Sequence, residues 1–487
     1  MEPKYISDII GFEDIATWKN GERILITAGT GTGKSYFVRT SLFHFAKKRR
    51  KKILWLTNRS ILREQVRSYL TEEQEEVITV MNYQAVQERV TRTGWQLIRL
   101  FSAYDYVVYD EAHYPFADAG FNRKTDLILQ PLTDNVMRNV IIFITATPQQ
   151  VLLFQDKYDH SYRIPYKFDH VRNIYFYSRK ETFEAILQSI PREEKAIYFA
   201  NRIKDAVSVS DEYGDEAKFI CSVSNEYSKH ISKKAVEEIR EKSKFSGNLL
   251  CTTRVLDNGI DIKDEAVRHI IIDISDPVEF IQCIGRKRVV NKTDYVDLYI
   301  ERKTDFDLNG YINRLQSPLY LLDELERIGK EAFLERYKQE ELDSIVHNDI
   351  TVNRSKVVML EYLIGAYQKM LSVGFEKYIM GILGIPVELI SDADEKFHIM
   401  SIEEMMQEHV GVKLFTSDKN YFKERFFVAA FNPKKKKVKR NRGINTINGI
   451  LEDAHLPYVV SSKRETNGEN RNRHYWIVEP KLTHESS

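Results

Sequence analysis

Residues 23–39 read Arg23-Ile-Leu-Ile-Thr-Ala-Gly-Thr-Gly-Thr-Gly-Lys-Ser-Tyr-Phe-Val-Arg39. An apolar run, a glycine-rich turn and a helical start follow one another, which predicts a buried strand, a tight loop and a helix N-terminus. Gly29, Gly31 and Gly33 let the backbone of the loop fold tightly and turn its N–H groups inward. Those N–H groups and the helix dipole form a cradle for phosphate oxygens. Lys34 supplies a compact cation for β- and γ-phosphates, and Ser35 a hydroxyl for Mg²⁺. Ala28, Thr30 and Thr32 complete the loop, and Ala28 stands where the strict pattern has glycine.

Length and composition bound what surrounds this loop. A chain of 487 residues holds two to four domains, and 43% hydrophobic residues allow sizeable cores. Charged residues make up 29% with a net charge of +1, so a nucleic-acid partner must be held by local basic patches. Cys221, Cys251 and Cys283 are isolated, with neither metal-ligand spacing nor a disulfide framework, which suits a reducing, cytoplasmic setting. The first residues carry no apolar leader, and no apolar run reaches the eighteen residues a membrane span needs.

Within residues 1–166, strand-like runs recur at Ile24–Ile26, Ile53–Leu56, Val77–Val80, Tyr106–Tyr109 and Val140–Ile144, separated by helical patterns. Near-continuous apolar strands alternating with helices predict a parallel sheet covered on both faces, with ligands beyond the carboxyl ends of the strands. Asp110-Glu-Ala-His113 directly follows one such run. Two adjacent acids at a strand end can divide labour: Asp110 holds Mg²⁺ through its water shell, and Glu111 polarises a water that attacks the terminal phosphate.

With these two motifs in place, the chain resembles superfamily 2 helicases and translocases of the DEAH-box type. The resemblance covers about residues 15–300 and implies two RecA-like domains with ATP between them. Further stretches match the family in order. Leu56-Thr57-Asn58-Arg59, with Leu62 and Gln65, resembles a motif that contacts the nucleic-acid backbone, and Met81-Asn-Tyr83-Gln84 resembles the next strand-contacting motif. Thr145-Ala-Thr147-Pro148 resembles the motif that couples hydrolysis to domain movement, a role the likeness also extends to His113.

The alternation restarts in residues 167–305, with runs at Ile174–Tyr177, Ala196–Phe199, Phe219–Cys221, Leu249–Cys251, His269–Ile272 and Val296–Ile300 and no second phosphate loop. That matches the second RecA-like domain of the family. Tyr198-Phe-Ala-Asn201-Arg202 and Cys251-Thr252-Thr253 resemble further strand contacts; Gly259 and Asp261, by the same likeness, face the nucleotide. Gln282-Cys-Ile-Gly-Arg286-Lys-Arg288 resembles the motif whose arginines reach across the cleft to the γ-phosphate, and the likeness implies a contact between Gln282 and His113. The family spaces those arginines three apart; here Val289 stands where the second is expected.

Residues 306–425 carry apolar positions at helical spacing and predict a helical accessory region. Residues 426–487 begin with the basic run Lys434–Lys437, Lys439, Arg440 and Arg442. A short helix at 446–454 and two strands at 458–460 and 474–478 follow, with Asn467-Gly468, Arg471 and Arg473 between the strands. Helix plus hairpin is the outline of a winged-helix-like module, and its basic residues suit phosphate contact. The expected fold class is therefore α/β: two tandem RecA-like parallel-sheet domains, a mainly helical accessory region and a winged-helix-like module.

The function this implies is an ATP-dependent nucleic-acid helicase using Mg²⁺, with DNA favoured over RNA on the strength of the C-terminal module. Two alternatives stand beside it: a duplex translocase that separates no strands, and an ATP-switched sensor or loader acting with a protein partner. No membrane partner is expected.

Overall fold

The computed structural model describes residues 5–29, 31–58, 66–93, 96–120, 122–133, 137–164, 168–222, 226–253, 261–337, 345–346, 351–397, 402–430, 443–467 and 470–481. Thr30, Arg59, Leu62, Gln65, Gly259 and the basic run Lys434–Arg442 lie outside the described residues.

Six strands build the first sheet: β1 (Arg23–Ala28), β2 (Ile53–Thr57), β3 (Ile78–Asn82), β4 (Tyr106–Asp110), β5 (Val140–Thr145) and β6 (His160–Ile164). Their order is β3-β2-β4-β5-β1-β6, all parallel. Alternation along each strand divides the core into two layers. Ile24, Ile26, Val108, Ile142 and Ile144 fill one layer, and Leu25, Val107, Tyr109, Ile141 and Phe143 the other. Both faces are thus covered, which is why these strands read as unbroken apolar runs. The expected strand at 77–80 lies one residue later, and β6 was not anticipated because His160-Ser-Tyr-Arg-Ile164 alternates polar and apolar at a sheet edge.

The second sheet contains β7 (Val171–Tyr177), β8 (Lys195–Phe199), β9 (Ala217–Ile220), β10 (Leu249–Thr252), β11 (Val267–Ile272), β12 (Val296–Glu301) and β13 (Ile390–Asp392). It is parallel throughout, in the order β13-β7-β12-β11-β8-β10-β9. The chain therefore has two tandem RecA-like parallel-sheet units. A two-stranded antiparallel hairpin, β14 (Tyr458–Arg464) and β15 (His474–Pro480), closes the described chain.

The region expected as one accessory block divides between two cores. Leu308, Ile312, Leu363, Ile364, Tyr367, Met370, Ile379 and Leu383, from the helices Asp305–Ile328, Arg354–Val373 and Phe375–Leu383, pack with Ile270, Ile272 and Leu298 of the second sheet. The three-residue strand β13 then adds to that sheet beside β7. Arg302, just after β12, bonds to Glu376 at 2.6 Å, Asp392 at 2.9 Å and Asp394 at 3.1 Å, tying the helices to the sheet. The helices Ile402–His409 and Thr416–Ala430 instead share the C-terminal core with Ile447, Leu451, Val460, Trp476 and Val478.

The helix Arg354–Val373 also reaches the first unit. Asp126 accepts the N–H groups of Arg354 at 2.8 Å and Ser355 at 2.7 Å, while Asn353 caps Lys356 at 3.0 Å. Val358 and Met359 pack against the first unit's core, and Leu363 through Met370 lie in that of the second. One helix thus spans both units, with its first turn satisfied from the far side. Replacing Asp126 by Ala removes two capping acceptors and should destabilise this junction by about 1–2 kcal/mol. A chemical-denaturation midpoint equal to that of the unaltered protein would show that the cap does not hold the junction.

Candidate functional site

The site forms where the carboxyl ends of β1, β4 and β5 meet the helix Pro277–Arg286 of the second unit. On the first unit, Gly31 and Gly33 take left-handed backbone angles (φ 81° and 83°), open to glycine at no steric cost. Lys34 begins the helix after the loop, and its Nζ donates to the carbonyl oxygens of Ala28 and Gly29 at 3.2 Å each. Thr32 donates its hydroxyl to Gly29 O at 2.7 Å, and Ser35 is exposed at the loop's end. The N-terminal residues brace the loop, with Ile6 N–H donating to Thr32 O at 3.0 Å.

Asp110 ends β4. Trp55 Nε1 donates to its carboxylate at 3.2 Å, and the Tyr83 hydroxyl donates to its carbonyl oxygen at 2.7 Å. Burial and the adjacent Glu111 push the Asp110 carboxyl up to about 6, against the pull of Lys34.

Glu111 adopts φ 52°, a left-handed angle rare for a residue with a side chain. The neighbouring bonds hold it there: Ala112 N–H donates to Ile144 O at 2.9 Å, and Tyr114 N–H to Glu111 O at 2.9 Å. Its carboxylate lines a cleft with Ala146, Thr147, Ile281, Gln282, Gly285 and Arg286. Burial alone would raise the Glu111 carboxyl, but the cations of Lys34, Arg286 and Arg288 outweigh it and hold the group below its ordinary value. Glu111 is therefore ionised at neutral pH, with cations from both units around it.

His113 joins the two units. Its Nδ1 lies 3.2 Å from the Thr145 hydroxyl, 3.0 Å from that of Thr147 and 3.6 Å from the Glu111 carboxylate. Its Nε2 lies 2.7 Å from Gln282 Nε2 of the second unit. With the Gln282 amide donating, Nε2 is the acceptor and the ring proton sits on Nδ1, facing the hydroxyls. Burial lowers the His113 pKa, and Arg286 and Lys34 add to that against Glu111, so the ring is neutral at pH 7.

The turn after Arg286 explains the altered arginine spacing. Arg286 O accepts from Ile262 N–H at 2.9 Å, and Arg288 N–H returns to Ile262 O at 2.9 Å. The side chain between them, Lys287, points inward and pairs with Asp294, both 1% exposed. Asp294 also accepts from Arg268 at 3.0 Å and from Val290 N–H at 2.9 Å. Because Lys287 is held inward, Arg288 emerges on the cleft side and pairs with Asp261 at 2.8 Å, while Val289 is 52% exposed. The extended backbone reverses direction at each residue, so the second arginine occurs two positions after Arg286.

The proposed strand-contacting residues lie at the carboxyl ends of β2, β3, β8 and β10, but they differ in accessibility. Asn201 and Arg202 are exposed, Arg202 being paired with Asp205 at 2.8 Å. Gln84 is half-buried, and Thr57 and Asn58 are buried; each carries a side-chain oxygen with no partner among the described residues. Thr253 is also buried. Two expectations need correction. Tyr83 is fully buried, stacked on Tyr114 with ring centroids 4.4 Å apart, and its hydroxyl is committed to Asp110. Thr252 is likewise buried, its hydroxyl donating to Ile220 O at 3.0 Å. Neither side chain is placed to touch a strand; Tyr83 braces the acid pair from behind. Trp55 and Asp294 were not singled out from the sequence, since an aromatic in a buried strand and an acid in a surface-like turn carry no signal until their partners are known.

Residues 13–153 match the model of the DEAD/DEAH box helicase family. No curated protein matches the chain. Among solved structures, the chain is similar to Mss116p (NTE and C-tail double deletion) bound to ssRNA and AMP-PNP, at 12% identity over 77% of this chain and 91% of that one, with a TM-score of 0.45. It is similar to a Dbp5 variant from S. cerevisiae bound to RNA and ADP BeF3, at 15% identity over 61% and 83%, with a TM-score of 0.43. It is also similar to the helicase Lhr from Mycobacterium smegmatis bound to ssDNA and AMP-PNP, at 15% identity over 61% and 46%, with a TM-score of 0.40.

Asp294→Ala leaves Lys287 buried without its partner and should cost about 3–5 kcal/mol. Replacing the pair together, Lys287→Met with Asp294→Leu, should recover part of that loss. Equal denaturation midpoints for Asp294→Ala and the unaltered protein would mean the pair does not set the turn.

Proposed function

We propose that this protein is an ATP-dependent nucleic-acid helicase that couples ATP hydrolysis to strand translocation and unwinding, with DNA favoured over RNA. The 2.7 Å contact between His113 and Gln282 carries this reading, because it links the acid pair of one unit to the arginine-bearing helix of the other. A cleft lined from both sides is what a motor needs if nucleotide turnover is to move two units against each other. The match of residues 13–153 to the DEAD/DEAH box helicase family supports the same reading.

In this reading Lys34 exchanges its two carbonyl contacts for the terminal phosphates of ATP. Ser35 and Asp110 would hold Mg²⁺, which neutralises charge on the phosphates; the raised Asp110 carboxyl fits a hard cation beside it. Glu111, ionised in the cleft, accepts a proton from the attacking water. Arg286, on the cleft wall, stabilises charge on the transferred phosphoryl group, and Arg288 assists from its bond to Asp261. His113, Thr145, Thr147 and Gln282 relay the state of the nucleotide between the units. Asn201 and Arg202, with Thr57, Asn58 and Gln84, would take the strand backbone. The helix and hairpin of the C-terminal module tilt the partner toward DNA.

A second reading is a duplex translocase that separates no strands. Residues 261–282 form β11, its flanking turns and the start of the arginine helix, without a hairpin that could serve as a wedge. Strand displacement on tailed duplexes, run beside triplex displacement, separates the readings: displacement of the third strand alone selects the translocase.

Lys34→Ala should abolish ATP hydrolysis with the fold intact. Glu111→Gln should keep ATP binding and lower kcat by about 10²–10⁴. Arg286→Ala should lose about 10³ or more in turnover, and Arg288→Ala should lose less. Wild-type turnover in Lys34→Ala would place the nucleotide elsewhere, and equal losses in the two arginine variants would make them a joint finger.

A further inference from the structure

The C-terminal core is built from residues 402–480. The helices Ile402–His409, Thr416–Ala430 and Ile444–Asp453 pack on the hairpin β14–β15 through Met405, Met406, Phe422, Ile447, Leu451 and Trp476. Leu414, between the first two helices, exchanges backbone bonds of 2.8 and 2.9 Å with Trp476 and so extends the hairpin by a third, one-residue pairing. This module therefore begins about thirty residues before the basic run.

The register of the hairpin sorts its charges. Residues directly opposite in an antiparallel pair share a face. Val460 with Val478, Ser462 with Trp476 and Arg464 with His474 lie on the face that the helices cover. Val460, Trp476 and Val478 are buried beneath the helices, whereas Arg464 and His474 overhang them, exposed. The helix Thr416–Ala430 adds cations at that overhang. Lys419 Nζ donates to His474 O at 2.6 Å, and Lys423 Nζ lies 4.6 Å from the Trp476 ring centroid. Arg471 and Arg473 stand exposed at the hairpin tip.

On the opposite face Lys463 and Lys413 are neutralised, while Arg473, in register with Glu465, stands beyond the strands at the tip. Lys463 pairs with Glu479 at 2.6 Å, and Lys413 with Glu465 at 2.5 Å. Among the described residues, Lys419, Lys423, Arg464, Arg471 and Arg473 form no ion pair with a carboxylate. Burial and the neighbouring Lys423 charge hold the Lys419 ammonium below its ordinary value, as crowded like charges require. An uncompensated cluster of this kind costs self-repulsion that an anionic partner relieves.

The aromatic groups narrow the partner. Tyr475 and Trp476 are buried, so among the described residues the exposed imidazole of His474 is the main ring surface at the overhang. Tyr421, which is exposed, lies two residues from both Lys419 and Lys423 and hence about 200° round the helix from them. A surface dominated by cations, with little aromatic area to stack on, suits a phosphate backbone whose bases remain paired.

We propose that Lys419, Lys423, Arg464 and Arg473 form a duplex-binding surface that grips the phosphate backbone, separate from the cleft between the two sheet units. It rests on the nucleic-acid partner proposed above but not on ATP turnover, so the test is run on the full chain without nucleotide. Affinity for a blunt DNA duplex and for a single strand of equal length is measured against salt for the unaltered protein. The same is done for a quadruple variant, Lys419→Gln with Lys423→Gln, Arg464→Gln and Arg473→Gln. Each lost duplex contact should lower the slope of log affinity against log salt by about 0.9, a total fall of about 3–4, with single-strand binding little changed. Lys463→Gln, on the neutralised face, should leave the slope as it is. Should the quadruple variant unfold, Lys423→Gln alone should lower the slope by about 0.9. An unchanged duplex slope, or an equal fall for the single strand, overturns the proposal. Loss of binding to anionic vesicles with duplex binding intact would assign the surface to a membrane instead.

Discussion

Two carboxylates side by side at the end of β4 are the constraint around which this structure is arranged. Asp110 and Glu111 are both partly buried, and each raises the cost of ionising the other. The structure resolves the conflict by treating them differently. Asp110, bonded to Trp55, is pushed up to about 6 by burial and the adjacent Glu111. Glu111 turns into the cleft through a left-handed backbone angle and is held ionised by Lys34, Arg286 and Arg288. Since Arg286 and Arg288 belong to the second unit, the charge balance of the first is complete only when the two units face each other.

The same dependence sets how the units are joined. A neutral His113 accepts from Gln282 across the cleft and faces Thr145 and Thr147 on its other side, so a shift of either unit is felt at the end of β5. Farther away, the helix Arg354–Val373 is buried along its body in the second core and capped by Asp126 of the first. One joint is formed by Gln282 beside the acids, bonded to His113 at 2.7 Å and to Thr147 at 3.5 Å. The other is a helix end with two capping bonds and a small apolar contact.

Charge is also used to fix local geometry. The buried Lys287–Asp294 pair draws one side chain of the arginine turn inward and thereby presents Arg288 to the cleft. Arg302 gathers three carboxylates from the helical segment and β13, so the segment is bound to the second sheet by directional contacts as well as by its apolar core. For the buried Lys287–Asp294 pair, desolvation offsets most of the attraction between the two charges.

Much of this was legible in the order of residues. The glycine-rich loop, the acid pair and the arginine helix are local patterns, and unbroken apolar strands such as Ile24–Ile26 and Ile270–Ile272 announce a sheet covered on both faces. The likeness to superfamily 2 motors also anticipated the meeting of Gln282 with His113, 169 residues apart. Tertiary structure alone decided the rest. Whether Tyr83 and Thr252 face a strand or the interior depends on the packing of neighbouring elements, and both are buried. The edge strands β6 and β13 are short or alternating, so only their pairing defines them. The division of the accessory helices between two cores, and the sorting of cations onto one face of the hairpin, follow from contacts between residues distant in the chain. Local sequence specifies the period of an element and the chemistry at its end; it carries no information about which distant surface that element will cover.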